Sequence, residues 1–161
     1  MIRSLTAVGM LVLIAGCATA EPERLPMADA CLITGDWRIP VSVELARTPK
    51  QRSKGLMGRT SLPPDSGMLF IYQRPRDPDY GFWMHQTLIP LDIAYLSEEG
   101  VIGAIRRMTP CPSKRGSECP SYPAGVSFSL ALEMNEGFFE RHDIGVGDRL
   151  ELNAARCQAA G

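Results

Sequence analysis

From Ala30 to Asn153 the chain is a succession of short apolar stretches separated by turn residues, and this spacing constrains the fold more than any other feature. Residues 39–46 (IPVSVELA) set Val41, Val43 and Leu45 at a period of two, the mark of a strand with one buried face. Further strands are read at 68–72, 82–87, 93–97, 101–108, 126–134 and 149–153. In the stretch 126–134, Val126, Phe128, Leu130 and Leu132 are expected on one face. Helix signals are few. Thr48, Pro49 and Gln51 read as a cap, a first helical residue and a capping-box partner, so a short helix is expected from 49 to about 54, stopped at Gly55. Residues 137–142 carry one more helical turn, and residues 73–80 (QRPRDPDY) read as an exposed loop. About seven or eight short strands with one or two short helices predict a mainly β fold, a compact β-sandwich or squat barrel.

The first residues differ in kind. MIRSLTAVGMLVLIAGC has Arg3 as a positive start, an apolar run from Leu5 to Ala15, and then Gly16-Cys17. That run has the length of a secretory signal and falls short of the roughly 20 residues of a membrane span. Leu13-Ile14-Ala15-Gly16-Cys17 resembles the bacterial lipobox, in which the cysteine carries the lipid. The alternative is a plain secretory signal with a coincidental cysteine. Two or more acyl chains on Cys17 give a stable anchor, at ~0.8 kcal/mol for each buried methylene. Ala18, where an aspartate would favour retention at the inner membrane, points to the outer membrane. The chain thus divides into a lipoprotein signal peptide (1–16), a lipid anchor and flexible tether (17–29), and a single mainly β domain (30–155). The expected location is the periplasmic side of the bacterial cell envelope.

In an oxidising compartment the remaining cysteines, Cys31, Cys111, Cys119 and Cys157, read as disulfide partners with three possible pairings. Cys111 and Cys119 flank a Pro/Gly/Lys loop, the easiest local closure, which leaves Cys31 for Cys157. A zinc site would place paired cysteines two to four residues apart, and seven residues separate Cys111 from Cys119. No metal or other cofactor is expected. A net charge of −1 offers no polycation for nucleic acid.

The stretch GFWMHQTLIPLDIAY, residues 81–95, is the most unusual. At a period of two, Phe82, Met84 and Gln86 point one way and Trp83, His85 and Thr87 the other. The second face mixes an indole, an imidazole and a hydroxyl, as a ligand pocket does. A strand buried on both faces is the competing reading. Around it, KGLMGR (54–59), GMLF (67–70), FWMHQT (82–87), IPLDIAYL (89–96), Cys119-Pro120 to Tyr122, Leu132-Glu133 and Gly147-Asp148 follow one another in an order that resembles the family of domain of unknown function 192 over about residues 31–153. The resemblance implies a compact, mainly β fold, often exported, and brings no established activity. His85-Gln86 stands where that family most often has Lys-Asn, so a permanent cation is replaced by one that an unperturbed imidazole loses above a pH of about 6.5.

A site built from these residues comprises Arg52, Arg59, Trp83, His85 and Thr87, with Asp92 as partner to one of the bases. Trp83 would stack on a flat ligand face, the arginines would grip an anion, and His85 and Thr87 would direct hydrogen bonds. A one-residue change of register would send Asp92 to the opposite face. No catalytic set is recognisable: Glu133 and Asp148 have nothing to bring them together, and no Gly-x-Ser-x-Gly elbow occurs. The leading expectation is a non-catalytic module binding an envelope glycan or small molecule. The alternatives are docking onto another envelope protein and an envelope hydrolase. Binding predicts a concave patch at Trp83, docking a flat apolar one, and an enzyme a strongly shifted pKa in that cleft.

Overall fold

Where apolar residues fill both faces of a strand, that strand lies in the middle of a sheet. In the computed structural model, which describes residues 25–152 and 155–158, this rule sets the architecture. The expected signal peptide, Cys17 and the chain to residue 24 lie outside the described residues. The strands are β1 (Met27–Thr34), β2 (Trp37–Ala46), β3 (Ser66–Arg76), β4 (Gly81–Trp83), β5 (Leu91–Leu96), β6 (Ile102–Met108), β7 (Ser121–Pro123), β8 (Phe128–Asn135) and β9 (Arg149–Glu151). Short helices α1 (Pro49–Lys54), α2 (Phe138–Arg141) and α3 (Ala155–Gln158) accompany them.

Seven strands form one curled sheet in the order β6-β5-β8-β3-β2-β1-β9, and β4 pairs with β7 in a separate two-stranded ribbon. Every pairing is antiparallel except β2 with β3, whose parallel crossover carries α1. All six residues of β5 are buried. The two ends of the sheet come together: Leu150 N donates to Gly100 O at 2.9 Å and Ile102 N to Asp148 O at 2.8 Å, joining β9 to the β5–β6 turn. The result is a half-barrel, and the mainly β expectation holds.

Two apolar clusters lie on opposite faces of this sheet. One gathers Val43, Leu69, Leu132, Phe138, Phe139 and Leu150. The other gathers Phe70, Phe82, Met84, Ile93, Tyr95 and Phe128. Phe128 falls in the second cluster while Leu130 packs against the first, so the single apolar face expected for residues 126–132 is split. The cause is a register shift between Ile71 and Arg76 on β3, opposite this end of β8.

Three further differences bear on the site. The first strand begins at Met27, within the stretch expected to be tether to residue 29. Strand β3 continues through Arg76, so half of the expected 73–80 loop is sheet. Strand β4 stops at Trp83, because Gln86 takes a positive φ of 55° and Thr87 N turns back to donate to Met84 O at 2.9 Å. The expected strand over 82–87 therefore breaks in its middle. Cys111 meets both sides of this turn, with Gln86 N donating to its carbonyl at 2.8 Å and its own N donating to Thr87 O at 3.1 Å. The structure joins Cys31 to Cys157 and Cys111 to Cys119.

Candidate functional site

Helix α1 supplies one wall of a cleft. Its start is fixed by a reciprocal cap: Gln51 N donates to Thr48 Oγ1 at 3.2 Å and Thr48 N to Gln51 Oε1 at 3.0 Å. This orientation lays Arg52 over the β3 edge, where its Nη1 donates to Ile71 O at 3.0 Å and its guanidinium carbon sits 4.6 Å from the Tyr72 ring centre. On the same strand Arg76 lies 4.2 Å from the ring centre of Tyr80 and 5.6 Å from that of Tyr72. Arg76 Nε is buried with no hydrogen-bond partner among the described residues.

Between these groups lies a cleft of about 440 Å³, lined by Arg52, Arg76, Tyr72, Tyr80, Phe82 and Trp83. Beside it a slot of about 30 Å³ shares Arg52, Ser53, Phe82 and Trp83 with the cleft and is also lined by Thr87 and Glu133. The slot is large enough to admit a water molecule. Glu133 is 4% exposed. Its strand neighbours are Met68 on β3 and Ile93 on β5. Burial pushes its carboxyl up to about 8, and neither a neighbouring charge nor a hydrogen bond offsets the loss of water among the described residues. Glu133 is thus a neutral acid at pH 7, able to donate one hydrogen bond into the slot. Burial and the neighbouring Tyr80 likewise raise the Tyr72 hydroxyl, which stays protonated.

Trp83 is half-exposed, and a glycine holds it in place. A Cβ at Gly116 would stand 2.6 Å from Trp83 Cζ3, so only glycine lets the cysteine loop pack this closely on the indole. His85 lies behind the same ring, 5.1 Å from it between centres, with Nε2 donating to Lys114 O at 3.3 Å. The Cys111–Cys119 bridge closes that loop.

Of the six residues singled out in the sequence, the structure brings Arg52, Trp83 and Thr87 to the cleft. His85 lines neither the cleft nor the slot and instead supports Trp83 from the loop side. Arg59 faces a neighbouring hollow of about 550 Å³ and is engaged by Glu44, with Nη2 2.7 Å from Oε2. Asp92 has to be removed from the site. It pairs in the sheet with Met134, whose side chain belongs to the opposite cluster. There its carboxylate accepts from Gly137 N at 2.7 Å and from Arg107 Nε at 3.4 Å. Alternation along β5 is the reason: Leu91, Ile93 and Tyr95 face the cleft side, so Asp92 cannot.

Tyr72, Arg76, Tyr80 and Glu133 were not in the expected set. The first three fell in or beside the residues read as an exposed loop. For Glu133 a signal existed: a carboxylate between Leu132 and Met134 in a strand of the sheet interior has no solvent face to turn to.

The fold and cleft together define a class, the small mainly β half-barrel with one aromatic-walled, cationic cleft beside its sheet. The chain belongs to the family of domain of unknown function 192, described as Uncharacterized ACR, whose model matches residues 32–152. A crystal structure described as a "putative transcription regulator" from Sinorhizobium meliloti 1021 is 32% identical, with a TM-score of 0.68, over 81% of this chain and 97% of that one. A protein of unknown function from Novosphingobium aromaticivorans DSM 12444 is 29% identical, with a TM-score of 0.65, over 86% of this chain and 91% of that one. No curated protein matches.

Proposed function

We propose that this chain is an exported, lipid-anchored protein of the bacterial envelope that binds a small ligand in the Arg52–Arg76–Trp83 cleft and performs no chemistry on it. The observation that carries the reading is the cleft itself. It is concave, walled by aromatic rings, and furnished with a few polar groups that converge on it, which is how small-molecule sites are made. Export and anchoring rest on the lipobox-like residues 13–17, and the four remaining cysteines suit an oxidising compartment.

A second reading has one observation in its favour. A carboxyl held at about 8 in a cleft is what an enzyme's general acid requires. Among the described residues, however, no second carboxylate, histidine or thiol lines the cleft or its slot. The Ser53 and Thr87 hydroxyls and the Lys54 amine line the slot, but no histidine or second carboxylate stands there to activate a nucleophile, so binding comes first.

The test is a thermal-shift screen of the full chain in detergent against glycans, peptidoglycan fragments and small organic anions, with Trp83→Ala beside it. A ligand at 100 times its dissociation constant stabilises by ~2.7 kcal/mol. That shift is expected with the parent protein and lost in a folded Trp83→Ala. Turnover of any screened compound, abolished by Glu133→Gln, would instead establish the enzyme. For the anchor, Cys17→Ser is expected to abolish partitioning into the detergent phase, and unchanged partitioning would remove that part of the reading.

A further inference from the structure

One buried polar atom beside the cleft has no hydrogen-bond partner among the described residues, Arg76 Nε, and the buried Glu133 carboxyl lines the adjoining slot. Buried polar groups in folded proteins are almost always satisfied, and each exception calls for an explanation. The Arg76 side chain lines the cleft, and a guanidinium is suited to a carboxylate or phosphate, which it meets as a planar fork. Tyr80 and Tyr72 stack on this guanidinium and hold its plane, so the fork is preorganised.

Glu133 sets how strongly positive the cavity is. Ionised, it would cancel one of the positive charges and weaken the pull on an anion. Held neutral, it leaves Arg52 and Arg76 as the formal charges along the walls, and Lys54 of α1 also reaches the slot. The other groups around Glu133 do not alter this balance. From β5 the neighbouring titratable group is Tyr95, a neutral phenol that burial keeps protonated and that donates to Tyr122 O at 2.5 Å. β3 presents Met68 and Phe70, and β4 presents Phe82 and Trp83, none of which titrates. The cleft is therefore cationic and aromatic-walled, with a hydrogen-bond donor in the adjoining slot.

Resting on the binding reading above, we propose that the ligand class is a flat, ring-bearing organic anion, whose carboxylate or phosphate pairs with Arg76 and whose ring lies against Trp83 and the tyrosines. The neutral Glu133 makes this selectivity pH-dependent. When its proton leaves, a negative charge appears in the slot and opposes the anion.

The experiment measures binding of four probes to the full chain by calorimetry at pH 6.5 and pH 9: benzoate, phenyl phosphate, benzylammonium and benzyl alcohol. Benzoate or phenyl phosphate is expected to bind, and the stronger of the two identifies the anionic group. Affinity for that probe is expected to fall by about tenfold or more at pH 9, and Glu133→Gln to abolish the fall without abolishing binding. Arg76→Gln is expected to weaken it by about tenfold or more at pH 6.5, with Arg76→Lys recovering part of the loss. Should Arg76→Gln fail to fold, the Glu133→Gln arm still decides. Benzylammonium or benzyl alcohol binding in preference to both anions would overturn this proposal and leave the binding reading standing. Anion binding insensitive to pH would overturn it in the same way. No binding by any probe would count against the cleft as a small-ligand site, and with it this inference.

Discussion

Glu133 shows how much a single side chain takes from its surroundings. The same carboxylate at the end of a solvated strand would titrate near 4.5, but inside this sheet it titrates near 8. The sign of the consequence for stability follows from proton counting. Between those two values the folded chain holds a proton that the unfolded chain has released, so stability falls as pH rises through the window and levels off above it. Glu133→Gln keeps the shape and removes the titration. In denaturant titrations it is expected to flatten this loss, which amounts to something on the order of 5 kcal/mol at about 1.4 kcal/mol for each tenfold change in proton affinity. A parent protein equally stable at pH 5 and pH 9 would show that water reaches the carboxyl after all. What the sequence concealed at this scale was the environment rather than the residue. Glu133 was visible in Leu-Glu-Met, but its burial depends on β3 and β5 flanking it, and both are remote in the chain.

Among the elements, α1 was legible to the residue, because a cap is a local contract between Thr48 and Gln51 and depends on nothing distant. The strand over 82–87 was not, since the break at Gln86 is imposed by Cys111 pairing on both sides of the turn. That break still delivers Thr87 to the same slot as Trp83, by turning it inward rather than by alternation. Asp92 was misplaced for the opposite reason. Alternation on β5 holds strictly, and it carries the carboxylate to the far face, where it fastens the start of α2. Asp92→Asn loses the charge-assisted bond from Gly137 N and the Arg107 contact. It is expected to cost about 1–3 kcal/mol in thermal or denaturant unfolding while leaving cleft binding unchanged. Loss of binding in a folded Asp92→Asn would return that residue to the site.

At the scale of the molecule, short strands were enough to announce a mainly β fold, while the strand order was beyond reach because it is set by contacts between elements far apart in the chain. One long-range link was accessible, since a bridge between Cys111 and Cys119 leaves only one other pairing. The Cys31–Cys157 bridge spans 126 positions. Replacing both cysteines with alanine is expected to lower stability by ~4–5 kcal/mol in the chain-entropy model, read as a reduced denaturant midpoint. An unchanged midpoint would mean that β1, β9 and α3 hold these ends together unaided.

The same bridge has a mechanical meaning. It ties the middle of the first strand of the sheet to the last of the described helices. A pull applied between residues 25 and 158 runs through the Met27–Cys31 stretch of β1, the bridge and residue 157, and bypasses the strands that carry the cleft. Such a load is carried by a covalent short circuit. A molecule hauled by both ends would keep its cleft intact until that bridge was reduced.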